Sequence, residues 1–273
     1  MSAKKTLCTM SATLLLAMAA PASHAALIDG LVEYWEMDGN FSANIVAAHA
    51  GTLTTNGAGS GTFAAGKFGQ AIDLENSTGN QAFVVIGGNE NDFDFAGGSM
   101  SASAWYTTES LYVNFQALMG KGENASWRIA RNSGSGTSFK LSVSGAIGDG
   151  ELDQQNGSFH HVVAIYDGAN GTKLFVDGVL VGSTAAAYVL PNIGNAMQIG
   201  GNPQAAGRGW DGMIDDVAIW NRALTTQEIE SIFNRGQGAS IRSLIAPAVP
   251  EPATASMALV ALGGLMLRRR STR

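Results

Sequence analysis

The chain has almost no cysteine, and this limits both its cross-linking and its chemistry. Its 273 residues include one cysteine, Cys8, which lies in an N-terminal segment that we expect to be removed. The remaining chain would then form no disulfide and carry no thiol nucleophile. Its stability would come from packing, with or without a bound metal.

Basic residues are also scarce between the two ends of the chain. Residues 27–245 contain 10 lysines and arginines and 21 aspartates and glutamates, a formal charge of −11. Recognition of a phosphate backbone needs clustered lysine and arginine, so we expect no nucleic-acid partner. The sequence also lacks a phosphate-binding loop, a zinc-ligand spacing and the nucleophile elbow of hydrolases.

Proline is rare at 6 residues, whereas glycine is abundant at 35, and 45% of the residues are hydrophobic. This composition is typical of a globular protein rich in turns and strands rather than of a disordered chain. Once the two ends are set aside, the length suits one domain, and no internal repeat suggests a second.

Residues 1–25 have the features of a secretory signal peptide. Lys4 and Lys5 precede a short apolar run, and small residues stand at positions −3 and −1 of a cut after Ala25. The alternative, an N-terminal membrane anchor, would need a longer apolar run. We therefore expect an exported protein whose folded domain covers residues 27–245.

The strongest local pattern lies in the middle of the chain. Two runs rich in β-branched and aromatic residues, His160–Tyr166 and Thr172–Val176, flank a turn that contains Asn170-Gly171. Asp177-Gly178 then precedes a third apolar run at Val179–Val181. Asn-Gly and Asp-Gly pairs suit the positive φ angles of tight hairpin turns. The pattern predicts three consecutive antiparallel strands.

This stretch resembles a signature of the LamG-like, concanavalin A-like jelly-roll domains of secreted bacterial proteins. The resemblance rests on His160-His161-Val162 before a Tyr-Asp-Gly turn, followed by the sequence LFVDGVLVG at residues 174–182. It covers nearly all of residues 31–236 and implies an all-β fold, a jelly-roll sandwich of two antiparallel sheets with one short C-terminal helix. The resemblance identifies a scaffold more than an activity. Further strands are predicted at residues 31–37, 66–74, 82–86, 99–106, 117–122, 127–130, 139–143, 197–201 and 210–220.

The predicted helix follows the last of these strands. Thr225 and Glu228 have the spacing of a capping box, and Ile229, Ile232 and Phe233 lie on one helical face. Gly236 is a candidate stop signal. We expect the apolar face of this helix to dock on the sandwich.

Residues 246–273 resemble a PEP-CTERM sorting segment. Pro250-Glu251-Pro252 precedes an apolar run at residues 253–267 and the cluster Arg268-Arg269-Arg270. The run is short for a bilayer, and the arginines favour a cytoplasmic end, so the tail would attach the domain transiently to the outer side of a membrane. The resemblance implies processing by an exosortase-type enzyme and delivery to the cell surface or extracellular matrix. The alternative is a plain C-terminal anchor.

Four polar residues form a candidate calcium site. Asp38 and Asn40 end the opening strand, and Asp215 and Asp216 lie in the closing strand. The first and last strands of jelly rolls are commonly neighbours, and Ca²⁺ prefers carboxylate and carbonyl oxygens. A structural Ca²⁺ could therefore tie the two strands together. The alternative is that Asp215 points inward and accepts hydrogen bonds from a loop backbone.

Other candidate site residues have stronger structural interpretations. Glu36 and Asp38 lack the third acid of the related β-glucanases, which disfavours catalysis. His160 and His161 face opposite sides of a strand, so their geometry does not favour a metal or acid–base site that uses both. Trp35, Trp105 and Trp220 are expected in the core, whereas Trp127 and Trp210 are candidates for an exposed platform that stacks on sugar rings.

These observations predict a secreted, non-catalytic module that binds polysaccharide or matrix glycan. Two alternatives stay open. The protein could be a structural component of the extracellular matrix without a specific ligand, or, less in keeping with the carboxylate pattern, a glycan hydrolase or lyase.

Overall fold

The computed structural model describes residues 27–123, 126–131, 138–143, 150–151, 155–168, 170–185, 190 and 193–246. The predicted signal peptide at residues 1–25 and all but the first residue of the predicted sorting segment at 246–273 lie outside this range. Within it, no helix is long and apolar enough to cross a membrane.

Short strands make up most of the described chain, and two short helices follow them. The strands are β1 (Leu31–Trp35), β2 (Gly51–Asn56), β3 (Ser60–Ala65), β4 (Gln70–Glu75), β5 (Gln81–Ile86), β6 (Met100–Tyr106), β7 (Ala117–Gly120), β8 (Trp127–Arg131), β9 (Ser138–Val143), β10 (Gly150–Glu151), β11 (His160–Asp167), β12 (Gly171–Val176), β13 (Val179–Thr184), β14 (Gln198–Ile199) and β15 (Gly212–Trp220). The helices are α1 (Thr226–Phe233) and α2 (Ile241–Ile245).

The strands form two antiparallel sheets. One has eight strands in the order β13-β12-β11-β6-β15-β4-β3, with β1 paired to β15. The other has seven strands in the order β10-β9-β8-β7-β14-β5-β2. This arrangement confirms the predicted sandwich. Strands β2 and β3, which pair with β5 and β4 in different sheets, were not predicted, because their threonines and small residues give only a weak apolar pattern.

The main core lies between the two sheets. Alternate residues of β4 and β5 point into it, so that Ile72 and Leu74 of one sheet share a buried cluster with Val84 and Ile86 of the other. Burying such side chains contributes about 1.5–3 kcal/mol each. The opposite residues of β5, including Phe83, therefore lie on the outer face of the seven-stranded sheet.

The two helices cover part of the outer face of the eight-stranded sheet. Ile229 and Ile232 of α1 and Ile241 of α2 are fully buried in a second apolar cluster that includes Trp220. The predicted capping box is confirmed, since the Thr225 hydroxyl accepts from the Glu228 amide and the Glu228 carboxylate accepts from the Thr225 amide. The second helix was not predicted.

The central hairpins form as their turn residues predict. Strand β11 pairs with β12, and β12 pairs with β13. Asp177 and Gly178 both have positive φ, at 50° and 74°, as the tight turn between β12 and β13 requires. Local turn chemistry therefore sets the pairing of these three strands.

Candidate functional site

The residues of the predicted calcium site hold the backbone of neighbouring segments. The carboxylate of Asp38 accepts from the amide of Gln70 at 2.6 Å. The side chain of Asn40 stays within its own turn, where Oδ1 accepts from the Ser42 amide and Nδ2 donates to the Asp38 carbonyl. Both residues therefore stabilise the turn that follows β1.

Asp215 and Asp216 are adjacent in β15, and both are buried. The Asp215 carboxylate accepts from the Phe68 amide at 2.9 Å, which is the loop-backbone hydrogen bond of the alternative interpretation. Asp215 points away from the main core, however, since it pairs with Trp105 while its neighbour Ile214 lies in that core. Asp216 has φ 46° at an irregularity of β15, and its carboxylate accepts from the Ile241 amide at 2.9 Å. The two carboxylates therefore serve different segments. Among the described residues, Asp38, Asp215 and Asp216 do not form a group of acids whose oxygens all lie within 4.8 Å of one another.

Burial makes these two aspartates weaker acids than an ordinary aspartate. Desolvation is the main reason why the pKa of Asp215 rises to about 7 and that of Asp216 to about 8. The backbone hydrogen bonds oppose the rise, and nearby carboxylates including Asp38 add to it. Both groups hold a proton in the folded protein at pH values where the unfolded chain would release it.

Stability is therefore expected to fall as the pH rises from about 4 to about 8, because the folded state binds more protons than the unfolded state in this window. The free energy of unfolding, measured in urea, should be higher at pH 5 than at pH 9. Asp216→Asn should reduce this difference by about 2 kcal/mol or more, since asparagine can still accept from Ile241 but does not titrate. The matched control is Asp29→Asn at an exposed position; an equal change in both variants would contradict the assignment.

The prediction of an exposed tryptophan platform is wrong. Trp127 and Trp210 are 1% and 0% exposed. Their indole N–H groups donate to the carbonyls of Phe93 and Thr107 at 2.8 and 2.9 Å. The alternation of β8 places Trp127 inward, and Trp210 packs edge-on against Tyr106 in the main core. Neither ring can stack on a sugar in this conformation.

The two histidines have the structural roles that their alternation predicts. His161 is buried, its Nε2 lies 2.8 Å from the Ser103 hydroxyl, and burial lowers its pKa to about 3. His160 faces the other side, where its Nδ1 lies 2.7 Å from the Asp177 carboxylate. The predicted burial of Trp35, Trp105 and Trp220 is also confirmed, since each is 0% exposed.

Glu36 and Asp38 do not lie along one regular strand. Strand β1 ends at Trp35, and Met37 between the two acids has φ 59°. Glu36 pairs with Arg242 at 3.0 Å. Burial raises the pKa of Glu36, with Arg242 opposing the rise and Asp38 adding to it. The Glu36 carboxylate thus pairs with Arg242, and the Asp38 carboxylate accepts from the Gln70 amide.

One group of acids does converge in the described part of the chain, and the sequence reasoning missed it. Asp73, Glu75 and Glu109 each have a carboxylate oxygen within 4.8 Å of the others. Burial, and then repulsion from neighbouring carboxylates, raises the pKa of Asp73 and Glu109. Asp73 and Glu75 share a face of β4 because they are two residues apart, but only the fold brings Glu109 to them.

The outer face of the seven-stranded sheet carries a pocket of about 180 Å³. We call it the sheet-face pocket. Phe83 of β5 and Gln198 of β14 line it from the sheet, and Asn56 lines it from the end of β2. The loop between β14 and β15 closes the other side with Asn202 and Arg208. A half-buried aromatic ring thus lies among several amide groups and one guanidinium.

Small residues bring the closing loop against the sheet. A Cβ at Gly201 would lie 2.7 Å from the Gln198 side chain and 2.9 Å from that of Phe83. Further along the loop, the Gly209 amide donates to the Gln81 side chain at 2.7 Å, and the Tyr112 hydroxyl donates to the Gly209 carbonyl at 2.8 Å. The pocket wall is therefore held in place before any ligand arrives, which lowers the entropic cost of binding.

Some polar groups of the pocket are already used, and others are available. Asn202 donates to Glu123 and accepts from the Gln204 amide. By contrast, the side-chain amides of Asn56 and Gln198 make no hydrogen bond to any residue that the structure describes. These two amides and the Phe83 ring are the groups that the pocket can offer to a ligand.

Comparison with protein families fits this two-sheet architecture. A family model described as the concanavalin A-like lectin/glucanases superfamily matches residues 77–230. The chain belongs to this superfamily. The match includes Phe83, Gln198 and Arg208 of the sheet-face pocket. No curated protein sequence matches the chain.

Several solved structures have the same fold as this chain, at low sequence identity. One is domain 4 of AbnA, a GH43 extracellular arabinanase from Geobacillus stearothermophilus, in complex with arabinotriose. It is 20% identical with a TM-score of 0.57, over 77% of this chain and 98% of that one. Another is a structure of botulinum neurotoxin type C, whose cell entry depends on two ganglioside molecules. It is 16% identical with a TM-score of 0.59, over 80% of this chain and 53% of that one.

A third similar structure is the binding domain of Paraclostridial Mosquitocidal Protein 1. It is 15% identical with a TM-score of 0.57, over 76% of this chain and 52% of that one. The chain thus spans about half the length of the two toxin structures and nearly all of the arabinanase domain. At these identities the similarity shows the fold alone.

Proposed function

We propose that the protein is a secreted, non-catalytic module that binds glycans in the sheet-face pocket. The observation that carries the proposal is the combination of the Phe83 ring with the available amides of Asn56 and Gln198 in one pocket. An aromatic ring packs against the apolar face of a sugar, and amide groups both donate to and accept from hydroxyls. The pocket offers both kinds of contact.

The shared fold supports a binding role. The arabinanase domain was solved with arabinotriose, and the neurotoxin interacts with gangliosides. Glycans are therefore reasonable first ligands for this chain. In support of a non-catalytic role, Glu36 is paired with Arg242, and the carboxylate series of the related β-glucanases is incomplete.

The sequence at the two ends supports the proposed location. The signal peptide at residues 1–25 would export the domain, and the PEP-CTERM segment would hold it transiently at the membrane until an exosortase-type enzyme processes the tail. The mature bacterial protein would then reach the cell surface or extracellular matrix. A matrix glycan would be available to it there.

Loss of Phe83 or Gln198 should weaken glycan binding. We expect Phe83→Ala to raise the Kd about tenfold through lost ring contact, and Gln198→Ala about fivefold through lost hydrogen bonds. The measurement is a glycan array with residues 27–246, followed by calorimetry on each ligand found. Gln227→Ala on the exposed face of α1 is the control, and thermal unfolding of each variant shows whether it is folded.

A folded domain that binds no glycan on the array would contradict this proposal. The structural role in the matrix would then be the one to test, by deleting the protein and measuring the cohesion of the biofilm. Release of oligosaccharides that is lost in Glu36→Gln would instead show a hydrolase or lyase.

Calcium binding is proposed only for Asp38 and Asp215 of the four residues predicted from the sequence. These two carboxylates interact electrostatically, and Oδ1 of the buried Asp215 accepts no hydrogen bond from the described residues. A ligand that binds only the folded state raises its unfolding temperature. Ca²⁺ should therefore raise the Tm relative to EDTA in the wild type but not in Asp38→Ala. An equal Tm with Ca²⁺ and EDTA in the wild type would refute a calcium site.

A further inference from the structure

The sheet-face pocket lies at one end of a longer strip of side chains on the same face of the seven-stranded sheet. Thr54 of β2 pairs with Phe83, and Thr52 pairs with Val85. Val85 also pairs with Gln198 of β14. Residues that pair across antiparallel strands lie on one face, so these side chains form a continuous floor. We call this floor the open strip; it consists of Thr52, Thr54, Phe83, Val85 and Gln198.

A wall closes the open strip at the end where the pocket lies. Gln81 is 5% exposed, and its side chain donates to the carbonyls of Ser77 and Asn80. The turn between β2 and β3 packs against it, since a Cβ at Gly59 would lie 2.3 Å from the Gln81 backbone. The Gly209 amide donates to the same side chain at 2.7 Å. A saccharide chain on the strip therefore cannot continue past Gln81.

The open strip is also closed along the side of β7 and β8. Gly120 pairs with Gln198, and Arg128 pairs with Gly120, so Arg128 lies on the same face as the strip. Arg128 is nevertheless 4% exposed, and its guanidinium carbon lies 5.4 Å from the centre of the Phe115 ring. The loop at residues 201–209 covers the rest of this side. The direction that stays open runs along β2 and β5 away from the pocket, where the outward side chains are exposed or half-buried.

The floor of the open strip carries no charge. Strands β2, β5 and β14 have the sequences GTLTTN, QAFVVI and QI, without an acidic or basic residue. Arg208 in the pocket wall lies 4.9 Å from the Phe115 ring centre, and its charge is paired with Glu123 at 2.6 Å. Glu123 also contacts Arg128, which is too buried to meet a ligand. Moving a charged ligand group from water onto an uncharged floor costs desolvation without a partner, so the strip favours a neutral ligand.

The pocket has room for one sugar unit, and the open strip has room for the units that follow. Pockets for drug-sized ligands are roughly 300–1,000 Å³, so the sheet-face pocket, at about 180 Å³, suits a single ring. From Phe83 to Val85, β5 advances by about 7 Å, close to the length of one further sugar unit. Val85 offers this unit an apolar surface, and Thr52 offers it a hydroxyl. The geometry matches a chain that enters along the strip and ends in the pocket.

We propose that the sheet-face pocket binds the end of a neutral polysaccharide chain, with the terminal sugar on Phe83 and the next units along Val85 and Thr52. This proposal rests on the glycan-binding function and names its ligand class. A protein that binds chain ends attaches once to each chain, however long the chain is. Binding along an internal stretch would instead place more protein molecules on a chain as the chain lengthens.

The test measures affinity and stoichiometry against chain length. Linear oligosaccharides of glucose, xylose, arabinose, mannose and galactose, each as a series of increasing length, are titrated into residues 27–246 by calorimetry, with oligogalacturonate as the acidic probe. For at least one neutral series, we expect the affinity to rise about tenfold from the one-unit to the three-unit ligand and then to stay constant. The stoichiometry should stay at one protein per chain, including for the intact polysaccharide.

A variant blocks the open strip without changing the pocket. Thr52 is exposed, and in Thr52→Arg the longer side chain would lie across Val85, its neighbour on β5. We expect this variant to bind the three-unit ligand about tenfold more weakly, and to bind the one-unit ligand as the wild type does. The matched control is Thr55→Arg, at an exposed position on the opposite side of β2, which should change neither affinity. Thermal unfolding shows whether each variant is folded.

Each outcome has a distinct meaning. A number of bound proteins that grows with chain length, or equal effects of Thr52→Arg and Thr55→Arg, would overturn chain-end binding while leaving glycan binding intact. Tighter binding of oligogalacturonate than of every neutral series would overturn the neutral ligand in the same way. Absence of binding by every neutral and acidic glycan would overturn the glycan-binding function itself, and chain-end binding with it.

Discussion

Replacing Glu33 with glutamine is expected to lower the free energy of unfolding by about 3–5 kcal/mol. Glu33 lies in β1, yet its side chain is fully buried and contacts the segment after this strand. Its carboxylate accepts from the amides of Asn44, Ile45 and Val46 at 2.7–2.8 Å. It also lies 3.1 Å from Nδ1 of His49.

Glutamine keeps the shape of this side chain but turns N–H donors toward a site that contains only donors. The backbone amides would then be left partly without an acceptor, and His49 would lose a carboxylate neighbour. Urea denaturation gives the stability change. Hydrogen exchange gives a second measurement, since the amides of Asn44, Ile45 and Val46 should exchange faster.

Glu36→Gln is the matched control for Glu33→Gln. Glu36 is three residues away and pairs with Arg242, whose side chain is 68% exposed. An exposed ion pair contributes about 0–1 kcal/mol, so this variant should stay close to the wild type. Equal losses in the two variants would show that Glu33 does not organise the segment.

Replacing Lys121 with methionine is expected to cost about 3–5 kcal/mol of stability. The Lys121 side chain is 0% exposed, and its Nζ lies 2.6 Å from the carboxylate of Asp94, which is 2% exposed. Nζ also donates to the Glu90 carbonyl. Methionine fills a similar volume, so the main loss is the charge partner of a buried carboxylate.

A double variant separates the cost of breaking this pair from the value of having it. Lys121→Met with Asp94→Leu removes both charges, and we expect it to recover most of the lost stability. Lys173→Met at an exposed position of β12 is the control, with an expected change within about 0.5 kcal/mol. A double variant less stable than Lys121→Met alone would contradict this account.

Several structural features could be predicted because their signals are local. The turn at Asp177-Gly178 needs two positive φ angles, and these residue types adopt them at low cost. The capping box at Thr225 and Glu228 needs only a spacing of three residues. The sandwich itself could be predicted from short strands separated by turn residues, together with the family resemblance.

The site residues could not be predicted in the same way. The run Ala82–Ile86 is apolar throughout, so alternation shows that Phe83 and Val84 face opposite sides but not which side is the core. Trp127 was predicted to lie on an exposed platform, although it shares a face of β8 with Ile129. Only packing against the other sheet places Phe83 outward and Trp127 inward.

The sequence alone therefore determined the class of the fold, its hairpin turns, its capped helix and the acidity of the domain, since composition and short spacings contain this information. The tertiary structure decided which tryptophans are buried, which carboxylates hold backbone amides, and where the arginines meet. Arg128 and Arg208 are 80 residues apart in the chain, and Glu33 contacts a segment that its own strand does not pair with. Such contacts depend on long-range strand register and on loop closure, which no local pattern specifies.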